Sequence, residues 1–375
     1  MTRSLLILLA LGLAGCPKPG EKDDTGGPIG NDSDTDTDVD TDTDTDCTTL
    51  VTSTEPANGA TAVYYRDPIT VSFDGDGSHA AITLTDASGG VPSYTTTWTD
   101  GNVQAELWPV LDADTTYTLG VDLCGASTTA SFTTSSLGAP LTVDPTDLVD
   151  RTFVFRLSEA EITEPAFLDF VASTYLTVPL LIMVDSADST SIDMLGALGY
   201  HEDDGTYTQL TNEATWDFPA GDFSESPYFE AYSERIEITF DGTPIPIEQF
   251  SLSGTFSADG TTIEEGIGSG YGDSRYMGEL VGRTAKDYSA VCDIAAGAGV
   301  KCVPCSDGEP YCLYIVAEEI TATQEDGLVL SPNADGDYWT IEEGDCDDTD
   351  ITIHPNATET AGDGIDSNCD GADDT

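Results

Sequence analysis

Positive charge is what this sequence has least of. Its 375 residues include 11 Lys and Arg against 70 Asp and Glu, a formal net charge of -59. Such a field repels phosphate backbones, which excludes nucleic acid as a partner. It also repels anionic lipid headgroups, so membrane contact has to come through an anchor rather than a basic face. Long hydrophobic runs are missing too. The N-terminal run Leu5 to Leu13 is about half the ~20 residues that a spanning helix needs. Histidine is scarce and scattered, at His79, His201 and His354, so no paired-histidine zinc pattern exists. Gly266-Ile-Gly-Ser-Gly270 has its serine in the fourth position and is not a nucleophile elbow. The abundant carboxylates single out no acid–base pair. These absences make the expectation a protein that is not an enzyme.

What is present begins with an export signal over residues 1–15. Arg3 gives a positive start, Leu5 to Leu13 an apolar centre, and Ala14-Gly15 the small residues of a cleavage site. Leu13-Ala14-Gly15-Cys16 resembles the bacterial lipobox. The resemblance implies a lipidated Cys16 and a membrane partnership through that anchor, held firmly because several acyl chains bind where one does not. Pro17 after Cys16, by likeness to lipoprotein sorting, implies an outer-membrane, surface-exposed protein of the cell envelope. Residues 16–46 follow as a disordered acidic tether. Asn31 to Asp46 is almost all Asp and Thr, with too little apolar surface to offset chain entropy. Beyond Cys16 there are eight more cysteines, Cys47, Cys124, Cys292, Cys302, Cys305, Cys312, Cys346 and Cys369. An even set in an exported chain reads first as disulfides.

The expected fold is mainly β. Across residues 47–137, Ile69, Val71 and Phe73 alternate with polar residues, as do Tyr117, Leu119 and Val121. Short strands between turn clusters at this spacing read as a β-sandwich. Pro56-Ala-Asn-Gly-Ala60, Pro68-Ile-Thr-Val-Ser-Phe73, Thr115-Thr-Tyr-Thr-Leu119 and Phe132-Thr-Thr134 resemble bacterial Ig-like domains of surface-layer proteins. That resemblance implies a spacing or adhesive role. Cys47 and Cys124 lie near the ends of this stretch and are placed to be bridged across it.

Residues 141–322 read as an antiparallel β-barrel-like domain. Ile236-Ile238-Phe240 and Phe250-Leu252-Gly254-Phe256 carry period two. Gly266, Gly268, Gly270 and Gly272 share one strand face, where missing side chains permit close packing or a sharp bend. Ser257 to Thr261 reads as a type I′ hairpin turn around Asp259-Gly260. Short helices are expected over Pro165 to Leu176 and Asp287 to Ala296. In outline the domain is similar to lipocalin-like carriers, which implies a small apolar ligand; a packed barrel without ligand is the alternative. Cys292, Cys302, Cys305 and Cys312 close the domain. Two structural disulfides of open connectivity are the preferred reading, over a metal knuckle or redox pair at Cys302-Val-Pro-Cys305.

Residues 333–375 form a small Asp-rich loop module. It holds Asn333-Ala-Asp335-Gly-Asp337, then Asp345-Cys-Asp-Asp-Thr-Asp350, then Asp363-Gly-Ile-Asp366-Ser-Asn-Cys-Asp-Gly371. Asp366-Ser-Asn368-Cys-Asp370-Gly371 matches the first half of an EF-hand loop. Candidate ligands are Asp345, Asp347, Asp348, Asp350, Asp363, Asp366, Asn368 and Asp370, and their hard oxygens point to Ca²⁺ as the expected ion. The acidic clusters, with His354-Pro-Asn-Ala-Thr-Glu359 between them, resemble the metal-binding repeat of bacterial surface lipoproteins, a family named after a copper-binding protein. Its usual cysteine after the Glu is absent here, and Thr360-Ala361-Gly362 stands in its place. That departure leaves Cys346 and Cys369 as a natural disulfide pair. The functional expectation is a lipid-anchored structural, adhesive or binding protein with surface partners and a calcium-binding module. The alternative is a carrier of a small apolar ligand in the central barrel.

Overall fold

The computed structural model describes residues 48–373 apart from 171–175, 241–242, 279–280 and 285–287. The signal segment, Cys16, the tether and Cys47 lie outside the described residues.

The first strands are β1 (Val51–Glu55), β2 (Ala60–Val63), β3 (Ile69–Phe73) and β4 (Ala81–Asp86). They are followed by β5 (Tyr94–Thr99), β6 (Gln104–Pro109), β7 (Thr116–Leu123) and β8 (Ala126–Thr134). They pair as two four-stranded sheets, β1-β3-β6-β5 and β2-β8-β7-β4. Period two decides which side chains meet: Ile69, Val71, Phe73 and Leu107 of one sheet share a core with Leu84, Leu119, Val121 and Phe132 of the other. Cys124, just past β7, is disulfide-bonded.

Next come β9 (Thr152–Phe155), β10 (Glu161–Glu164), β11 (Leu180–Ala187), β12 (Ser191–His201) and β13 (Tyr207–Gln209). The last strands are β14 (Trp216–Asp222), β15 (Tyr228–Phe240), β16 (Thr243–Phe256), β17 (Thr262–Asp273) and β18 (Cys312–Glu325). Eight of these form a ring in the order β9-β11-β12-β14-β15-β16-β17-β18. β18 returns to β9, with Ala322 opposite Phe155 and Glu325 opposite Thr152, so the antiparallel barrel is closed. Closure satisfies backbone groups that an open sheet would leave unpaired at its edges. Outside the ring, β10 adds to β18 and β13 to β12.

The barrel's middle is filled. Phe153, Phe155, Phe218, Phe229 and Phe256 are fully buried, and Phe256 meets Phe153, Phe223 and Phe229 at centroid distances of 5.4, 5.9 and 5.3 Å. A barrel of eight strands is just wide enough for side chains to fill it. The four glycines of β17 all fall on its buried face. A Cβ at Gly266 would stand 2.8 Å from the Ile320 carbonyl oxygen, and one at Gly270 would stand 2.6 Å from Ile247 Cγ2.

Sandwich and barrel touch at the loop between β2 and β3. Tyr64 Oη lies 2.6 Å from Thr255 Oγ1, Arg66 pairs with Glu225 at 2.6 Å, and the Arg66 guanidinium sits 3.7 Å over the Tyr228 ring.

Local details depart from expectation. In the turn after β16, Gly260 has φ of +70° but Asp259 does not lie in the left-handed region. A type I′ turn needs both, so Ser257 to Thr262 is a wider loop, closed by Ser257 N–H donating to the Thr262 carbonyl at 2.9 Å. The helix expected from Pro165 begins as a 3-10 turn, Ala166–Leu168, and residues 171–175 of that stretch lie outside the description. The second helix, α1, is Ala290–Gly297. Cys292 bonds Cys302, and Cys305 bonds Cys312. Cys302 and Cys305 therefore form neither a metal knuckle nor a redox pair with each other.

Candidate metal centre and barrel-mouth cavity

After β18 the chain crosses the arm that runs from β13 to the start of β14. The Tyr207 amide donates to Glu325 Oε1 at 3.3 Å, and Gln209 exchanges two side-chain hydrogen bonds with the Ser331 backbone at 2.8 and 2.9 Å. Asn333 is fully buried and makes four hydrogen bonds, three to the arm and one to Gly336. Its backbone amide donates to Thr215 Oγ1 at 3.0 Å, and its carbonyl accepts from Thr215 N–H at 2.8 Å. Its side-chain amide donates to the Thr211 carbonyl at 2.7 Å, while its Oδ1 accepts from Gly336 N–H at 2.6 Å. Gly336 adopts φ of +72°, and a Cβ there would meet the Ala214 backbone nitrogen at 2.9 Å. Only glycine suits that close, left-handed approach.

These contacts aim Asp335 and Asp337 at two later carboxylates. Thr340 caps a 3-10 turn, Ile341–Glu343, and Gly344 at φ +104° turns the chain so that Asp345 comes back. One carboxylate oxygen from each of Asp335, Asp337 and Asp345 lies within 4.8 Å of the others. Each of the three uses Oδ1 for its own turn: Asp335 accepts from Asp337 N–H, Asp337 from Trp339 N–H, and Asp345 from Asp347 N–H. The remaining oxygens, Oδ2 of Asp335, Asp337 and Asp345 together with Oδ1 of Asp348, are buried with no hydrogen-bond partner. Asp337 is 5% exposed and Asp345 6%.

The electrostatics agree with the geometry. Burial, and then the neighbouring Asp337 carboxylate, push Asp335 up to about 6. Asp348 is also raised, by burial first and then by Asp345, Asp337 and Asp217. Buried, unpartnered carboxylates that repel one another are costly unless a cation neutralises them. The free oxygens of Asp335, Asp337 and Asp345, with Asp348 beside them, could hold a divalent ion.

The eight ligand candidates read from sequence are distributed unevenly. Asp345 and Asp348 join this cage. Asp347 and Asp350 are exposed and accept from Thr349 and Thr352. Asp363 lies with Glu359 and Asp373 in a second, more exposed acidic group. In the EF-hand-like half-loop, Asp366 accepts from Asp370 N–H and Gly371 N–H, Asn368 accepts from Asp370 N–H, and Asp370 accepts from Ala372 N–H. Those side chains shape their own turn. Cys346 and Cys369 are bonded to each other, which fastens that turn beside the cage.

A second feature lies at one end of the barrel. Arg156, Leu157, Ser158, Leu176, Thr177, Val178, Pro179, His201 and Tyr207 line a cavity of about 290 Å³. Its walls come from the ends of β9 and β12, the lead into β11, and β13. His201 and Tyr207 meet edge to face at 4.8 Å, and a hydrogen bond with the Tyr207 side chain raises the Arg156 pKa. No sequence pattern pointed to these residues, because the pairing of β9 with β11, β11 with β12 and β12 with β13 assembles them.

Residues 345–375 match a family model named Cu-binding_MopE and described as "Putative metal-binding motif". The C-terminal segment thus matches a metal-binding motif whose model is named for copper, and this overturns the expectation of calcium. The physical reason is that oxygen donors alone do not select calcium. For a given set of N or O donors, Cu²⁺ binds most tightly among the first-row divalent ions. With Cys346 and Cys369 in a disulfide, the donors that fit the ion are carboxylates rather than thiolates. No curated protein matches the chain. Similar solved structures include CopC from Methylosinus trichosporium OB3b, at 13% identity over 23% of this chain and 93% of that one, with a TM-score of 0.21. An LD transpeptidase in complex with imipenem is similar at 14% identity over 42% and 79%, with a TM-score of 0.20. A DUF4784 family protein from Bacteroides caccae is similar at 8% identity over 60% and 68%, with a TM-score of 0.19. At such scores these likenesses carry no argument, and what stands from the comparisons is the C-terminal metal-binding motif.

Proposed function

We propose that the chain is a binding protein of the cell envelope, whose barrel takes a small apolar ligand at its open end and whose C-terminal module takes copper. The observation that carries the ligand reading is the barrel-mouth cavity, where Leu157, Leu176, Val178 and Pro179 give an apolar wall beside Arg156, His201 and Tyr207. Its volume, about 290 Å³, is close to the ~300 Å³ at which small-molecule sites begin. Because phenylalanines fill the middle of the barrel, the ligand is small and held at the end rather than threaded through. The proposal is for binding and not for catalysis. It retains lipidation at Cys16, outer-membrane display and an Ig-like spacer in the sandwich. Disulfides Cys292–Cys302, Cys305–Cys312 and Cys346–Cys369 support an oxidising compartment.

An apolar fluorescent probe, 1-anilinonaphthalene-8-sulfonate, tests the ligand site on the full chain. It should bind, and Val178→Trp, which fills the cavity, should weaken binding by about tenfold or more, the cost of roughly 1.4 kcal/mol of lost contact, with the melting temperature unchanged. Equal binding by both proteins, or none by either, would sink the carrier reading.

A further inference from the structure

The carboxylate cage straddles two parts of the molecule. Asp345 and Asp348 belong to the C-terminal motif, which spans 345–375. Asp335 and Asp337 precede it, on the segment that Asn333, Gly336 and Tyr338 fasten to the barrel arm. Tyr338 N–H donates to the Thr211 carbonyl at 2.9 Å, and Asp217, at the start of β14, lies within electrostatic reach of Asp348. The arm itself walls the cavity, since Tyr207 opens β13 and lines it. The chain thus places these four buried, unpartnered oxygens where the motif, the linking segment and the barrel arm meet.

We propose that one divalent cation held by Asp335, Asp337, Asp345 and Asp348 is a staple that fixes the C-terminal motif to the barrel and sets the arm from Tyr207 to Thr215 against the ligand cavity. This rests on the metal-binding reading above and extends it, because half of the ligands lie outside the motif. Without the ion, four converging carboxylates push the two segments apart. With it, the same carboxylates pull them together, so metal binding adds stability at the junction rather than within the motif alone. The second acidic group, Glu359, Asp363 and Asp373, is more exposed and has no part in the staple.

Amide hydrogen exchange on the full chain, metal-free and with Cu²⁺ as the probe, tests this. At free Cu²⁺ about 100 times its dissociation constant, exchange at Thr211, Thr215 and Gly336 to Trp339 should slow by up to about 100-fold. Asp337→Asn should lose that protection while the motif's disulfide and the barrel's melting stay intact, and Asp366→Asn should keep it. The ligand probe should also dissociate more slowly once Cu²⁺ is bound. If Cu²⁺ binds but protects only residues within 345–373, the staple is wrong and the metal-binding motif stands. If Cu²⁺ does not bind at all, both the staple and the copper reading fail.

Discussion

Asp335 shows how a single side chain carries the logic of the metal centre. It is held near the protein interior with one oxygen bonded in its own turn and the other unpartnered. Its pKa of about 6 in the metal-free fold stands above the ordinary carboxylate value of 3.8. A folded pKa above the unfolded one means that the native state binds more protons in that interval. The stabilisation is full below the unfolded value and is lost as pH rises through the folded one. The metal-free protein should therefore loosen around Asp335 as pH climbs from about 4 through about 6, and bound metal should remove that trend. Exchange rates at Gly336 and Asp337 across this range would check it; slower exchange at higher pH, after correction for intrinsic rates, would contradict it. Residue chemistry was partly legible beforehand. Asp345 and Asp348 are readable as candidate ligands because they sit in a dense acidic motif. Asp335 and Asp337 carry an Asp-Gly-Asp spacing with a turn-forming glycine, a weaker signal than the dense cluster that starts at Asp345. What could not be read was that Asn333 would fasten them to a loop about 120 residues earlier (its partners are Thr211 and Thr215, 122 and 118 residues away).

Strand patterning was the most legible level, because period two is written directly into runs such as Ile69-Thr-Val-Ser-Phe73 and Phe250-Ser-Leu-Ser-Gly-Thr-Phe256. Turn type was less so. Asp259-Gly260 invites a two-residue hairpin, but the loop widened, with Ser257, Asp259 and Thr261 bonding among themselves. The glycines of β17 were legible as a close-packed face, and the structure supplies the reason: Gly266 lies on the backbone of β18 with the Ser253 carbonyl of β16 on the other side. A side chain there has to displace backbone rather than a flexible neighbour. Gly266→Val should destabilise the barrel by about 1–3 kcal/mol, measured by denaturant unfolding followed through the barrel's own Trp216. A change below about 0.5 kcal/mol, the range of surface substitutions, would mean that β17 and β18 do not pack as described. The barrel-mouth cavity was illegible for a different reason. Arg156, Leu176, His201 and Tyr207 come from separate elements and have no shared motif, so only the pairing of β9, β11, β12 and β13 defines their neighbourhood.

At the scale of the whole chain, a net charge of -59 works against compactness, since like charges repel across any folded surface. The two largest hydrophobic cores, three disulfides among the described residues and the Arg66 contact with Glu225 and Tyr228 oppose it. A cation in the Asp335–Asp348 cage would act in the same direction, at the place where carboxylates are most crowded and least solvated. The expectation of calcium rested on the hard oxygens of eight residues between Asp345 and Asp370. The fold instead gathers four unsatisfied carboxylate oxygens at Asp335, Asp337, Asp345 and Asp348, and the motif that supplies half of them matches a copper-named family model. The most direct measurement is anomalous diffraction at the copper absorption edge from crystals of the full chain equilibrated with Cu²⁺ and with Ca²⁺ in competition. The account predicts one strong copper peak among the carboxylates of Asp335, Asp337, Asp345 and Asp348; no peak there, or calcium density in its place, would contradict it.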